Sequence, residues 1–262
     1  DLSRSNVVAI FEDRTQNLWI GTYDQGAYIV NEQQTAFKSW EFLSQNYMVS
    51  GSTTALVPGD NGDVWCAVRN NGIYHFDGQG NIVGHPNSPV GTNFLYRDRQ
   101  GDCWISTENV LFSYNPITGT SQRKAKFEGW GIYGIADDGK GNLYVSNFGK
   151  GLYIYNKYTG RTVNYNMNQK GRLGHLWNDW IESLIVDRQG LVWMATMNGL
   201  SCFNPATGSF RPWGWLSQLE GLHCTHIYES DRHGILVGTD AGLYHFNAKT
   251  KRVESFPHSE VM

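Results

Sequence analysis

One short pattern occurs six times along the chain, and no other feature narrows its fold as far. The copies are DRTQNLWIGT (13–22), GDNGDVWCAV (59–68), DRQGDCWIST (98–107), DDGKGNLYVSN (137–147), DRQGLVWMAT (187–196) and DRHGILVGT (231–239). A key large residue recurs at Trp19, Trp65, Trp104, Tyr144, Trp193 and Leu236, at intervals of 46, 39, 40, 49 and 43 residues. Repeats of this length, with about four short strand patterns each, mark a β-propeller, in which four-stranded sheets stand around an axis. The sequence therefore predicts an all-β propeller of six four-stranded blades, at 1–46, 47–88, 89–127, 128–168, 169–216 and 217–262, as one domain over residues 1–262. A ring of six would close without strand exchange between its first and last units. The alternative is that both ends are cuts inside a larger propeller array.

The fifth copy shows the plan of a unit. Residues 180–186 read as strand a, 191–196 as strand b, 200–203 as strand c and 209–213 as strand d. Asp187-Arg188-Gln189-Gly190 turns the chain between a and b, since an Asp carboxylate caps backbone amides and Gly takes a positive φ. In strand b a large residue is followed two positions later by a small one: Trp19/Gly21, Trp65/Ala67, Trp104/Ser106 and Trp193/Ala195. Residues two apart share a sheet face. The ring then fills the gap where wedge-shaped blades diverge, and the small residue lies where they converge.

Composition excludes several classes. The net charge is −3 with no basic stripe, so nucleic acid is not an expected partner. No apolar run approaches the about 18 residues of a membrane span, so no membrane contact is expected of this segment. Cys66, Cys103, Cys202 and Cys224 are widely spaced, form no CxxC pair, and read as buried small hydrophobes that leave the compartment open.

The copies EDRTQNLWIGTYDQGAYIV, DRQGDCWISTENVLFSY and DRQGLVWMATMNGLSCF resemble the regulator-propeller repeat of two-component sensors, and the resemblance recurs over essentially the whole chain. It implies the periplasmic sensor domain of a hybrid two-component histidine kinase of the Bacteroidetes type, which detects an oligosaccharide and regulates polysaccharide utilisation. It also implies further repeats, a β-sandwich, a membrane helix and a kinase. None of these is read here, so the chain is expected to be a fragment.

In a four-stranded meander the b–c turns and the d–a connections share one rim. The compact repeated turns lie on the other. Every long irregular segment falls on the first rim, and loops on a rigid scaffold are where recognition concentrates. Six tryptophans outside strand b (Trp40, Trp130, Trp177, Trp180, Trp213 and Trp215) also fall toward it. The candidate ligand-binding residues are Trp177, Trp180, Trp215, Trp130, Tyr23, Arg69, Asn178, Asp179 and His223. Aromatic faces beside amides and carboxylates suit a sugar, whose C–H patches stack on rings and whose hydroxyls need paired donors and acceptors.

No GxSxG elbow, HExxH or P-loop is present. His223 and His226 point to opposite faces of a strand, and DNGD (60–63) sits where other blades have a plain turn, so no metal and no cofactor are predicted. The leading expectation is a non-catalytic sensor propeller with an oligosaccharide as partner, and with a homodimer or a second propeller as protein contact. One alternative is a polysaccharide lyase or glycoside hydrolase using Asp24, Glu108, Asp179 or Asp240 on the same rim; another is a protein-interaction scaffold.

Overall fold

The computed structural model describes residues 7–12, 18–22, 27–30, 53–59, 62–78, 81–168, 176–211, 214–231, 234–247 and 252–255, some by backbone alone, Trp19 and Trp215 among them. These residues form antiparallel sheets of consecutive strands, one of three strands and five of four. The propeller is as expected, but the expectation of six four-stranded blades needs correction: among the described residues five blades have four strands and the first has three. The first sheet ends at Ala27–Val30, and residues 31–52, where its outer strand was expected, lie outside the described residues. The repeated motif covers strands a to c only. The outer strand pairs on one side, carries no shared pattern, and shrinks to Ser209–Phe210 in the fifth blade. The long connection before the last blade holds a 3-10 helix, Gly214–Leu219, where irregular chain was expected.

The inner strands are Val7–Glu12, Thr53–Pro58, Thr92–Arg97, Ile132–Asp137, Ile181–Val186 and Cys224–Ser230. Each touches the next in order, and the last touches the first. Among the described residues the ring thus closes by sheet-to-sheet contact, with no strand exchanged between the first and last sheets. His226 lies at this seam, bonded to the backbone of Ile10, and burial holds its imidazole down at about 4 against an ordinary 6.5. The unfolded chain therefore takes up the proton first as pH falls below 6.5, and stability present at neutral pH is lost toward pH 4. Because His226 keeps some solvent contact, about 2 kcal/mol is expected rather than the full shift. Thermal melts at pH 7.5 and 4.5 check this. The seam assignment fails if His226→Gln melts with the same acid sensitivity as the parent.

Large side chains fill the gaps between blades as the spacing predicts. Trp104 packs with Ile135, Leu143 and Val145 of the next blade. Tyr144 packs with Leu184, Val192 and Met194, and Trp193 with Ile227, Ile235 and Val237. Ala67, Ser106 and Ala195 are fully buried, consistent with their place where blades converge. Trp65 also packs against the cluster that holds Leu95 and Ile105 of the next blade, but less deeply. It is half-buried and stacks flat on His75, with ring centroids 3.9 Å apart.

The a–b turn explains why Asp precedes the key ring by six residues. Asp187 Oδ1 accepts from the amides of Gln189 and Leu191, and its Oδ2 accepts the Trp193 indole N–H at 2.7 Å. Asp98 repeats this with Gln100, Asp102 and Trp104. The second unit has Gly59 at that position, so Trp65 lacks this carboxylate. The following arginine reaches to other blades: Arg99 Nη2 of the third blade donates to Val186 O of the fifth at 3.0 Å, and Arg188 of the fifth pairs with Asp231 of the sixth. Cys66, Cys202 and Cys224 are buried free thiols pushed up to about 12 by desolvation. They act as small core residues.

Candidate functional site

All six inner strands begin with the same irregularity. Pairing to the second strand skips one residue, between Val7 and Ala9, Thr53 and Ala55, Thr92 and Phe94, Ile132 and Gly134, Ile181 and Ser183, and Cys224 and His226. A bulge of this kind releases one side chain from the ladder and re-aims it. The released residues are Val8, Thr54, Asn93, Tyr133, Glu182 and Thr225, each eleven positions before the key residue of its blade. All six line one cavity of about 280 Å³ at the b–c/d–a end of the axis. The backbone irregularity repeats, yet it presents five different residue types, with threonine twice. Repetition of the device with variation of the group is what a recognition surface needs.

Arg69, Phe148 and His223 complete the functional part of the lining. Arg69 comes from the b–c turn of the second blade, where Asn70 takes a left-handed φ of 64°. Its guanidinium lies 5.6 Å from the Tyr133 ring centroid, and its Nε is buried with no hydrogen-bond partner among the described residues. Asn93 Oδ1 is likewise buried and unpartnered among them. His223 Nε2 donates to Glu182 Oε1 at 2.6 Å across the gap between the fifth and sixth blades. From Tyr133 a run of rings leads outward. Tyr133 stacks on Phe148 at 5.0 Å, Phe148 meets Trp180 at 4.5 Å, and Trp180 meets Trp130 at 6.1 Å. Trp130 is 77% exposed and Trp180 38%, so this run ends as an open aromatic platform on the rim.

Arg69 and His223, singled out from sequence, therefore lie in the cavity, and Trp180 and Trp130 lie on the aromatic run. Trp177, Asn178 and Asp179 stand beside the site without lining it. Asn178 Oδ1 accepts the Trp180 amide at 2.8 Å, and Asp179 Oδ1 accepts the Met167 amide at 2.7 Å. The Asp179 carbonyl also takes the amides of Gly149 and Gly151. Desolvation raises the Asp179 carboxyl above its ordinary value. Its observed bonds are those of a loop anchor. Tyr23 lies outside the described residues, and of Trp215 only the backbone is described.

Sequence reasoning missed Tyr133, Glu182, Thr54, Val8 and Thr225. The constant spacing of eleven residues was the signal that could have found them. Of the carboxylates proposed for hydrolysis, Asp24 lies outside the described residues, and Glu108, Asp179 and Asp240 do not line the cavity. Among the described residues its one lining carboxylate is Glu182, whereas glycoside hydrolysis by the usual route needs a facing pair. Among the described residues no three His, Cys, Asp or Glu side chains gather as a metal site would require.

Residues 1–24 match the two component regulator propeller family. No curated protein matches the sequence. Solved propellers superpose on nearly the whole chain at low identity. Virginiamycin B lyase from Staphylococcus aureus aligns with 97% of this chain and 85% of its own, at a TM-score of 0.68 and 13% identity. A gluconolactonase from Xanthomonas campestris aligns with 93% of this chain and 86% of its own, at 0.68 and 13%. The extracellular domain of BT4673 from B. thetaiotaomicron, described as a hybrid two component system, aligns with 96% of this chain at 0.61 and 18%. The chain spans 43% of that domain. What is shared at these identities is the propeller fold, which sensors and enzymes both use. Among the described residues no helix is long and apolar enough to cross a membrane.

Proposed function

We propose that this propeller is the non-catalytic ligand-binding part of a periplasmic two-component sensor and that it binds an oligosaccharide at the axial cavity. The observation that carries the reading is the set of six bulged side chains, one from each blade, converging on a single cavity beside an exposed aromatic run. Polar groups of both signs supply hydroxyl recognition, and the rings supply stacking. The regulator-propeller match at residues 1–24 and the fold shared with a sensor's extracellular domain support the class. Signalling would follow if ligand shifted the population between two arrangements of a dimer or of paired propellers.

Calorimetric titration with oligosaccharides selected from a glycan array tests this. Glu182→Gln and Trp180→Ala should each weaken binding at least about tenfold, equivalent to about 1.4 kcal/mol. Unchanged affinity in both variants would remove the cavity from the proposal. The Glu182–His223 pair supports a second reading, because a carboxylate-oriented imidazole is an acid–base arrangement. Turnover of the bound glycan that disappears in His223→Ala would favour a lyase over a sensor.

A further inference from the structure

Resting on the oligosaccharide reading above, we infer that the cavity takes the acidic end of a uronate-containing chain. Among the described residues, Arg69 carries the one permanent positive charge in the lining. Among the described residues no carboxylate pairs with it and no acceptor satisfies its buried Nε; its contact there is the face of Tyr133. A guanidinium in this condition matches a carboxylate, which it holds with two parallel hydrogen bonds. The lining carboxylate does not serve that purpose, because Glu182 is bonded to His223 and forms no ion pair with Arg69.

The remaining groups fit the rest of a uronate ring. Asn93 Oδ1 and the second oxygen of Glu182 are acceptors and call for donors, which sugar hydroxyls are. The Thr54 hydroxyl donates to Ala67 O at 3.2 Å, leaving its oxygen as a further acceptor. One cationic donor opposed by several acceptors is the complement of a molecule with one carboxylate and several hydroxyls. Size sets the mode of binding. The cavity's 280 Å³ lies just below the about 300–1,000 Å³ of sites that enclose a whole drug-sized ligand, so it holds an end unit. The units that follow then run over Phe148, Trp180 and Trp130, where exposed rings offer stacking and no charge.

The test uses an array of uronate oligosaccharides printed beside their carboxyl-reduced, neutral counterparts, with calorimetry on the best binder. The acidic form should bind at least tenfold more tightly than its reduced counterpart. Arg69→Gln should bring the two together, and Arg69→Lys should retain part of the difference. Asn93→Asp, nearly isosteric, adds a negative charge to the same cavity and should weaken the acidic ligand selectively. It covers the case in which Arg69→Gln does not fold. Trp130→Ala should weaken long oligomers and leave the shortest binder unaffected. Equal binding of acidic and reduced chains, or acid preference surviving both Arg69→Gln and Asn93→Asp, overturns the acidic-end inference and leaves the oligosaccharide reading standing. A folded protein that binds neither form on any scaffold overturns both.

Discussion

Replacing Asp98 with alanine is expected to destabilise the protein by about 3–5 kcal/mol, the range for breaking a buried charged network by removing one partner. Asp98 is fully buried and serves four donors. Its Oδ1 takes the Gln100 and Asp102 amides, and its Oδ2 takes the Trp104 indole at 2.9 Å and Lys157 Nζ at 2.8 Å. Lys157 belongs to the next blade and is only 8% exposed. Hydrogen bonds to Asp98 and Asp102 raise its ammonium above the ordinary value although desolvation opposes them. Removing Asp98 therefore takes the buried partner from a mostly buried ammonium, which keeps only Gln100 and the exposed Asp102, leaves the indole N–H without this acceptor, and loosens the contact between the third and fourth blades. Urea denaturation followed by tryptophan fluorescence measures the loss. The double variant Asp98→Ala, Lys157→Met should lose less than the two single variants combined, because their shared Asp98–Lys157 bond is lost only once. A loss under 1 kcal/mol for Asp98→Ala would sink the idea that this turn ties blades together.

Trp193→Ala should be comparably damaging, about 3–5 kcal/mol, through the cavity it leaves. The ring is 3% exposed and fills the space between the fifth and sixth blades against Ile227, Ile235 and Val237. Trp193→Phe preserves most of the volume but leaves Asp187 Oδ2 without its indole donor, an expected loss of about 1–3 kcal/mol. The sharper comparison is with Trp65→Ala. Trp65 occupies the same position in its repeat, yet it is half-buried, lacks the turn carboxylate and rests on His75. Its loss should be clearly smaller. If the two alanine variants unfold at equal cost, the wedge argument is wrong, since sequence position rather than burial would be setting the energy.

The rim that carries the cavity was legible because it follows from chain direction alone. Once four antiparallel strands are granted, b–c turns and d–a connections must share an end, and this puts Arg69 and His223 at the end where the cavity lies. Glu182 and Tyr133 were not legible for a specific reason. Regular alternation would put Glu182 on the same sheet face as Leu184 and Val186, both core residues. The bulge before Ser183 breaks that parity and turns the carboxylate to the axis. Counting tryptophans was a weaker guide. Trp180 and Trp130 do reach the site, but Trp177 lies beside the cavity, and its neighbours Asn178 and Asp179 bond local amides. A polar side chain in a loop reads the same whether it holds its own backbone or waits for a ligand.

Everything that depends on near neighbours was written in the sequence: the turns capped by Asp98 and Asp187, the alternation of strands, and the large-then-small pairs that wedge one blade on the next. These contacts form within a single repeat or between successive ones, so periodicity records them. The tertiary structure alone decided which groups meet at the axis. Glu182 finds His223 only because two blades converge there, and Arg69 reaches Tyr133 only because the ring brings the second blade to the fourth. Convergence on an axis brings together residues far apart in the chain, and a local pattern carries no information about partners at that distance.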